Sequence, residues 1–479
     1  MKKLVFLFIG LSLLVLLYVQ FKPEATPPLP MSDMPKGEIE FQPLHFESLK
    51  EPSIAVTFLP GPNQTLDVVY SFATPVQGFK FSTKEDAPRK TWWTTSDADV
   101  VFTRVSGFDK VKFKAPKSSI RFTLNVPDDI LNRNPAPIRF FDHWGAVVSP
   151  PYFRVQVIGK TFSEEFSTDY PSRPRHLFRM ASPYPILQNE KADAVPKEAM
   201  TGDFLYETRH NRILSTTNSD VIENKAYRIL IDPSFSKRTQ GNIETTTAEA
   251  INYFHEAFGA PLAPHFTLSY MKGPYYGSSG WVSGRHSIMR LRLRPALNRD
   301  WNSTRASYVI LHEIAHLYQG IYPTKHSNLF VEGGATAMAY IAAYDLGHIN
   351  EYIFRLKFEN AQNRCIRGMK RHIADDLKFE ALLIKEKQLP YDCGATLLDL
   401  ILRAYPELSL FDFWKSLSGW SQYAQNNTSD IIAKTLILNH KPNTPFLNEL
   451  DVFLKSAHPN PVESFEKLEA LAVPFDPSN

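Results

Sequence analysis

The sequence predicts an α+β fold, in which a β-sandwich comes first, a mixed domain follows and a helical part ends the chain. Short runs rich in β-branched and aromatic residues, separated by turn residues, fill much of the first third of the sequence. Apolar residues then recur at helical spacing around position 310, and helical patterns dominate from there to the C-terminus. At 479 residues, the chain is long enough for two or three domains with full cores.

The N-terminus has the pattern of an export signal. Met1-Lys2-Lys3 precedes an apolar run from Leu4 to Val19, so we expect residues 1–22 to be a signal peptide or a membrane anchor. An uncleaved anchor is favoured, because no A-x-A cleavage site follows closely and no cysteine is available for lipidation. The lysines keep the N-terminus inside, which puts the remaining chain outside the cytoplasm, in the periplasm if the source is bacterial. Residues 23–44 are rich in proline and predict a linker.

Residues 45–195 are predicted to form the β-sandwich. Trp92, Trp93 and Trp144 could line a binding face, although core aromatic residues are the more frequent case. The strand predictions are Ser53 to Leu59, Leu66 to Phe72, Val100 to Val105, Lys110 to Lys114, Ile120 to Val126 and Tyr152 to Ile158.

Residues 196–420 are predicted to form the mixed domain, and residues 421–479 a helical C-terminal region. Tyr227 to Ile231 predicts a strand, and Thr246 to Phe258 a helix that ends at Gly259. Alternation from Ser287 to Arg294 predicts a strand that could be the sheet edge along which a peptide pairs. Asn302-Ser303-Thr304 then offers an N-cap for the next helix.

Composition limits the function classes. The chain has 53 basic and 50 acidic residues, a net charge of +3, which argues against a nucleic-acid partner. Its two cysteines, Cys365 and Cys393, can form one disulfide in an oxidising compartment or remain two buried thiols. Spacing alone leaves both possibilities open.

The stretch Leu311-His312-Glu313-Ile314-Ala315-His316-Leu317 is an HExxH sequence in an apolar context. On a helix, His312 and His316 lie one turn apart on one face, a geometry that can hold Zn²⁺. Glu313 beside them can take a proton from a zinc-activated water. Two histidines on an ordinary helix are the alternative, but buried polar groups need partners, and a metal supplies them.

A catalytic zinc usually has three protein ligands. Glu332, 16 residues after His316 on the next predicted helix, is the preferred third ligand. Small residues follow it in Val331-Glu332-Gly333-Gly334-Ala335, and they would let this helix pack close to the HExxH helix. His326 in the intervening loop competes for this role, and Glu332 could also be a simple N-terminal carboxylate of its helix.

These residues resemble the gluzincin metallopeptidases. His312-Glu313-Ile314-Ala315-His316-Leu317-Tyr318-Gln319-Gly320 followed by Glu332-Gly333-Gly334-Ala335 is most similar to the aminopeptidase N and leukotriene A4 hydrolase group and to the glycyl aminopeptidases. The resemblance, over roughly residues 200 to 420, implies a thermolysin-like zinc catalytic domain. It also implies that Tyr391, in Tyr391-Asp392-Cys393-Gly394, matches the tyrosine that donates a hydrogen bond to the oxyanion of the tetrahedral intermediate.

The sequence departs from the family pattern at three points. The interval from His316 to Glu332 is shorter than usual, and Cys393 replaces a lysine in the tyrosine motif. The stretch equivalent to the family's Gly-x-Met-Glu-Asn is Gly280-Trp281-Val282-Ser283-Gly284-Arg285-His286, which has no carboxylate to bind a substrate's amino group.

The sequence therefore predicts zinc-dependent hydrolysis of peptide bonds outside the cytoplasm by an aminopeptidase-like enzyme. His312, His316 and Glu332 are the expected Zn²⁺ ligands, with Glu313 and Tyr391 as catalytic residues. The partner is a peptide or protein substrate, and the membrane is reached through the N-terminal segment. Endopeptidase activity and the oligomeric state stay open. The rival hypothesis is a non-catalytic binding protein that retains a metallopeptidase fold.

Overall fold

The structure is a computed structural model that describes residues between 53 and 473. The predicted anchor and linker, Trp144, Arg285, the predicted N-cap at 302–304 and His326 lie outside the described residues. The gaps within the described part are 62–63, 86–87, 132–136, 142–144, 159–174, 182–185, 189–203, 208–213, 218–220, 224–226, 260–265, 273–278, 284–285, 292–304, 322–327, 422–431, 433–434 and 437–442.

The N-terminal region is built from two sheets. The larger has the order β11-β9-β1-β2-β5-β3, with β4 paired to β5 and β8 paired to β2, and the smaller has the order β10-β12-β7-β6. The strands are β1 Ser53–Pro60, β2 Leu66–Phe81, β3 Trp93–Thr94, β4 Val100–Val105, β5 Phe108–Leu124, β6 Ile138–Phe140, β7 Gly145–Val148, β8 Val155–Val157, β9 Arg175–Met180, β10 Ile186–Gln188, β11 Phe204–Glu207 and β12 Leu214–Thr217.

One apolar core lies between these two sheets, as a β-sandwich requires. Phe58 and Tyr70 of the larger sheet share this core with Phe140 and Val148 of the smaller. Trp92 and Trp93 are buried in it, so they are core aromatic residues and do not line a binding face.

Several strand bounds differ from the sequence prediction. Lys110 to Lys114 and Ile120 to Leu124 belong to one strand, β5, because Pro116 between them lies opposite a register shift in β2, where a proline is tolerated. The strand predicted from Leu66 to Phe72 continues to Phe81, and the one predicted from Tyr152 to Ile158 is limited to Val155–Val157. The N-terminal sheets also reach past residue 195, since β11 pairs with β9 and β12 pairs with β7.

The mixed domain contains a five-stranded sheet with the order β13-β14-β15-β17-β16. The central pairings are parallel, whereas β16 runs antiparallel to β17. The strand predicted as a peptide-binding edge is β17, but the β16 hairpin covers it, so the edge is β16. The strands are β13 Val221–Glu223, β14 Tyr227–Ile231, β15 Phe266–Lys272, β16 Ser279–Ser283 and β17 His286–Leu291.

α-Helices make up most of the remaining described elements. They are α1 Asp128–Leu131, α2 Lys237–Phe258, α3 Arg305–Ile321, α4 Asn328–Asp345, α5 Glu351–Lys370, α6 Phe379–Lys385, α7 Leu389–Ala404, α8 Leu410–Ser421, α9 Thr444–Lys455 and α10 Pro461–Leu471. α2 begins earlier than predicted, because the Ser236 side chain accepts from the Thr239 N–H, and it ends as predicted at Gly259 with φ 57°. Within the described part of the chain, no helix is both long enough and apolar enough to cross a membrane.

A single apolar core joins the five-stranded sheet to the helices, from Tyr227 to Ala472. The helical C-terminal residues therefore pack with the mixed domain. A smaller cluster connects the two halves of the molecule: Phe141 and Val147 of the N-terminal region pack with Leu230, Met271 and Ile288 of the five-stranded sheet.

Candidate metal centre

The HExxH residues lie on α3, and the apolar face of this helix fixes it in the core. Ile310, Leu311 and Ile314 are fully buried. This burial aims the opposite side, with His312 and His316, at α4, which carries Glu332. The predicted pairing of these two helices is confirmed.

Three possible metal-binding atoms converge at this helix pair. Nε2 of His316 lies 3.1 Å from Nε2 of His312 and 3.2 Å from Oε2 of Glu332. Nε2 of His312 lies 3.4 Å from the same carboxylate oxygen. Among the described residues, this is the one group of three or more metal-type side chains whose ligand atoms all lie within 4.8 Å of one another.

Neighbouring side chains orient the two imidazoles. Nδ1 of His316 lies 2.7 Å from Oε1 of Gln319, whose amide in turn donates to the Val331 carbonyl. Oγ1 of Thr336 lies 3.4 Å from Nδ1 of His312 and donates to the Glu332 carbonyl. Both rings thus turn Nε2 toward Glu332, in the manner of metal-binding histidines whose other nitrogen is held by the protein.

The charges of this group depend strongly on one another. Burial lowers the pKa of His312. Burial also opposes a charge on His316, but the hydrogen bond that it donates to Glu332 and the charges of Glu313 and Glu332 raise its pKa overall. For Glu332, burial is outweighed by the hydrogen bonds and charges of the two histidines, so its pKa lies well below the ordinary value. Glu332 is therefore an ionised carboxylate, as a metal ligand must be.

Glu313 lies behind these ligands and is 5% exposed. Its Oε2 is buried, and no group in the described part of the chain donates a hydrogen bond to it. Burial raises the pKa of Glu313 to about 7; the charge of His316 opposes this shift, that of Glu332 adds to it, and that of Arg139 on β6 opposes it. A carboxylate with this proton affinity is matched to general-base chemistry near neutral pH.

The edge strand β16 covers Glu313 directly. A Cβ at Gly280 would lie 2.3 Å from Cγ and 2.5 Å from Oε1 of Glu313, so only glycine permits this approach. The strand that matches the family's specificity motif thus lies against the predicted base.

Tyr391 lies on the other side of the group, in the first turn of α7. Its ring stacks on His312 with 5.6 Å between the ring centroids. Burial, the charge of Glu332 and a hydrogen bond to Glu332 raise the pKa of Tyr391. The phenol is therefore protonated at neutral pH and can donate a hydrogen bond.

Two glycines allow α4 and α7 to approach closely enough to bring Glu332 and Tyr391 together. A Cβ at Gly333 would lie 2.3 Å from Cα of Gly394, and a Cβ at Gly394 would lie 2.0 Å from the carbonyl oxygen of Leu329. The sequence predicts that the small residues after Glu332 let α4 pack close to α3, but Gly333 instead lies against Gly394 of α7. At Gly334, a Cβ would lie 2.9 Å from Nε2 of Gln319 on α3 and 2.8 Å from the Trp414 ring on α8.

Two bonds then tie α7 to α5 directly after Tyr391. Cys365 and Cys393 form a disulfide, which settles the alternative left open by their spacing. Next to it, Nε of Arg364 donates to Oδ1 of the buried Asp392 over 2.9 Å. Together they fix the first turn of the helix that carries the tyrosine.

Sequence reasoning found five of the residues that meet here, His312, Glu313, His316, Glu332 and Tyr391. It missed the orienting partners, although helical spacing signals both of them: Gln319 follows His316 by three residues and Thr336 follows Glu332 by four. Gly280 belongs to the stretch that the sequence equates with the family's specificity motif, but its contact with Glu313 was not foreseen, and Arg139 was missed; both approaches depend on tertiary packing. The competitor His326 lies outside the described residues.

The donor set fits zinc. Two imidazole nitrogens and one carboxylate oxygen form the ligand set of many catalytic zinc sites, which leave the fourth position open. Both histidines are oriented by neighbouring side chains, as metal-binding histidines are. Oε2 of Glu313 is buried beside them and accepts no hydrogen bond from the described residues, which agrees with a metal that has a reacting water next to it.

Comparison with known proteins identifies the fold more firmly than the sequence does. No family profile matches the sequence, and no match is found among curated proteins. The structure is similar to the crystal structure of an aminopeptidase N family protein from Idiomarina loihiensis, with a TM-score of 0.53 at 12% identity over 86% of this chain and 78% of that one. At this identity the likeness shows the fold alone, and the fold is aminopeptidase N-like.

Proposed function

We propose that this protein is a zinc-dependent peptidase, aminopeptidase-like in its reaction, that acts outside the cytoplasm. One observation carries the proposal: Nε2 of His312, Nε2 of His316 and Oε2 of Glu332 lie within 4.8 Å of one another, beside a buried glutamate and a tyrosine. The aminopeptidase N-like fold supports the peptidase class.

Three side chains would bind the zinc ion in this proposal. His312, His316 and Glu332 would hold the zinc ion, which supplies Lewis acidity to a water and to the substrate carbonyl. Glu332 contributes a full negative charge, since its pKa is lowered. Gln319 and Thr336 keep both rings in the orientation that binding needs.

Glu313 is the proton carrier. It takes a proton from the attacking water and passes it to the leaving amine, a transfer favoured by its pKa of about 7. Tyr391 donates a hydrogen bond from its phenolic O–H to the oxygen of the scissile carbonyl as that oxygen gains negative charge. Both residues thus act on charge that develops in the transition state.

The Glu313→Gln variant tests this assignment. It keeps the size of the side chain and the three metal-binding residues, so we expect stoichiometric zinc and a loss of at least about 10²-fold in kcat/KM on short peptides. The matched control is Glu256→Gln on the exposed face of α2, which should leave both zinc content and kcat/KM unchanged. A metal-loaded Glu313→Gln variant with wild-type activity would refute the mechanism.

A panel of free and N-acetylated peptides separates an aminopeptidase from an endopeptidase. An aminopeptidase fails on the acetylated set. Edge strand β16 has the sequence Ser279-Gly280-Trp281-Val282-Ser283. It carries no carboxylate that could bind the ammonium group of a substrate's free N-terminus. A substantial rate on acetylated peptides would favour the endopeptidase.

The second candidate, a non-catalytic binding protein, is favoured by this same missing carboxylate. Metal analysis distinguishes the two: purified protein with about one zinc per chain supports the enzyme, and protein that takes up no zinc supports the binding function. The retention of His312, Glu313 and His316 together favours the enzyme, because a binding surface needs none of them.

A further inference from the structure

The outer face of the larger N-terminal sheet carries a cluster of lysines. Lys80 on β2 and Lys110 and Lys112 on β5 alternate with buried Phe79, Phe81, Val111 and Phe113, so the lysines point away from the core. Lys84, just after β2, joins them near the turn between β4 and β5. We call Lys80, Lys84, Lys110 and Lys112 the basic face.

Strand register places like charges opposite one another on this face. Lys80 is the direct cross-strand partner of Lys110, and such pairs repel. Within the part of the chain that the structure describes, no carboxylate lies within 4.0 Å of the ammonium groups of Lys80, Lys84 or Lys110. Two aspartates on this sheet form ion pairs with other lysines: Asp99 lies near Lys114, and Asp97 is bonded to Lys117.

Apolar side chains are exposed among these lysines. Val101 and Val105 of β4 are 45% and 51% exposed, and Val101 lies directly opposite Lys112 in the sheet. Phe108, at the start of β5, has the ammonium groups of Lys80 and Lys84 at 4.6 Å and 5.1 Å from its ring centroid. Val105 and Phe108, which pair at the end of the β4–β5 hairpin, therefore form an apolar tip beside these cations, and Val101 lies four residues before the tip on the same face.

We propose that the basic face and the β4–β5 tip dock on an anionic phospholipid surface. Lysines near such a surface gain from its negative potential, while valine and phenylalanine at a hairpin tip gain by entering the headgroup region. A soluble polyanion would match the lysines but leave Val101 and Val105 in water. This combination of charge and apolar surface favours lipid.

The predicted N-terminal anchor would bring this face within reach. Residues 23–52 would connect the predicted anchor to β1, and 30 residues of fully extended chain reach at most about 100 Å. Such a connection would keep the sheet close to the bilayer, and the basic face would then orient it. This contact is independent of the zinc chemistry.

A fluorescent label at the tip tests the proposal in the full chain. Since Cys365 and Cys393 are paired, Val105→Cys adds a single reactive thiol for an environment-sensitive dye. With the full chain bound to vesicles, we expect the emission of the dye to shift to the blue on phosphatidylglycerol vesicles and to shift little on phosphatidylcholine vesicles. The shift on phosphatidylglycerol should be lost at high salt. The same dye at Ile384→Cys, an 85% exposed site on α6, should not respond to lipid charge.

Charge reversal supplies the second readout. Lys110→Glu puts an opposite charge across from Lys80, so it relieves repulsion and should leave the unfolding midpoint at least as high as in the wild type. We expect it to abolish most of the dye shift at Val105→Cys. Lys387→Glu, an exposed change of equal charge after α6, is the control and should leave the shift intact.

Three outcomes would overturn the proposal. The first is an equal shift on charged and neutral vesicles, and the second is a shift that survives Lys110→Glu. The third is a shift produced by soluble polyglutamate but not by anionic vesicles, which would assign the face to an acidic polymer. Hydrolysis of soluble peptides should be the same in both lysine variants.

Discussion

The glycine contact between α4 and α7 gives the sharpest prediction about how the site is assembled. In Gly333→Ala, the new Cβ would lie 2.3 Å from Cα of Gly394 and 2.5 Å from its carbonyl carbon. Carbon atoms pack at about 3.5 Å or more, so the helices must separate by about 1.2 Å. Both atoms belong to the backbone, and no side-chain rotation relieves the contact.

The separation should affect stability and activity by different amounts. Overpacking destabilises by about 1–3 kcal/mol, while alanine in a helix interior regains about 1 kcal/mol, so we expect a net loss of roughly 0–2 kcal/mol. The same movement displaces Glu332 from Tyr391. A misplacement of about 1 Å typically lowers activity on the order of 10²-fold.

Two measurements on two variants check this reasoning. Denaturant unfolding and kcat/KM on a peptide substrate would be compared for Gly333→Ala and for Gly241→Ala, which lies in the exposed part of α2 with nothing within 4 Å of its Cβ position. Gly241→Ala should gain up to about 1 kcal/mol and keep its activity. If Gly333→Ala behaves like this control, the two helices do not meet at their glycines and the argument fails.

Three further predictions concern the same site. Tyr391→Phe should retain zinc and lower kcat on the order of 10²-fold with a small change in KM, because its hydrogen bond strengthens only in the transition state; equal changes in kcat and KM would contradict this role. Zinc content should be lower at pH 5 than at pH 8, since protons compete for the imidazoles and the pKa of His316 is raised; dialysis at these two pH values followed by metal analysis checks it, and a pH-independent content would argue against histidine ligands. Replacing Cys365 and Cys393 by alanine removes a bond that closes 28 residues and should lower the free energy of unfolding by roughly 3–4 kcal/mol; an unchanged denaturation midpoint under oxidising conditions would refute it.

Features set by neighbours along the chain were predictable from the sequence. The HExxH helix and its apolar side follow from helical spacing, and the structure places them as expected. The partner of Gly333 does not follow from it, since this glycine lies against Gly394 of α7 and not against the HExxH helix. Tyr391 came from the resemblance alone, because its distance along the chain from His312 hides a ring contact of 5.6 Å. Strand β5 was divided in two because Pro116 looks like a break until its bulged partner strand is known.

Contacts between distant segments were not predictable. The burial of Glu313 depends on β16 lying across it, and no local pattern indicates that Gly280 would be the residue in contact. The charge of Arg139 reaches Glu313 from a different sheet, because the cluster of Phe141, Val147 and Ile288 holds the two halves of the molecule together.

These long-range contacts make the base of the proposed reaction a property of the whole fold. The pKa of an exposed glutamate lies far below neutral pH, so at neutral pH such a glutamate is ionised and binds a proton weakly. Burial under β16 removes solvent from Glu313 and raises its pKa to about 7, while the charge of Arg139 limits the rise. The strand that would line the substrate path is thus the same strand that adjusts the proton affinity of the base. A side chain at Gly280 would alter substrate binding and proton transfer together, so this glycine couples the two functions.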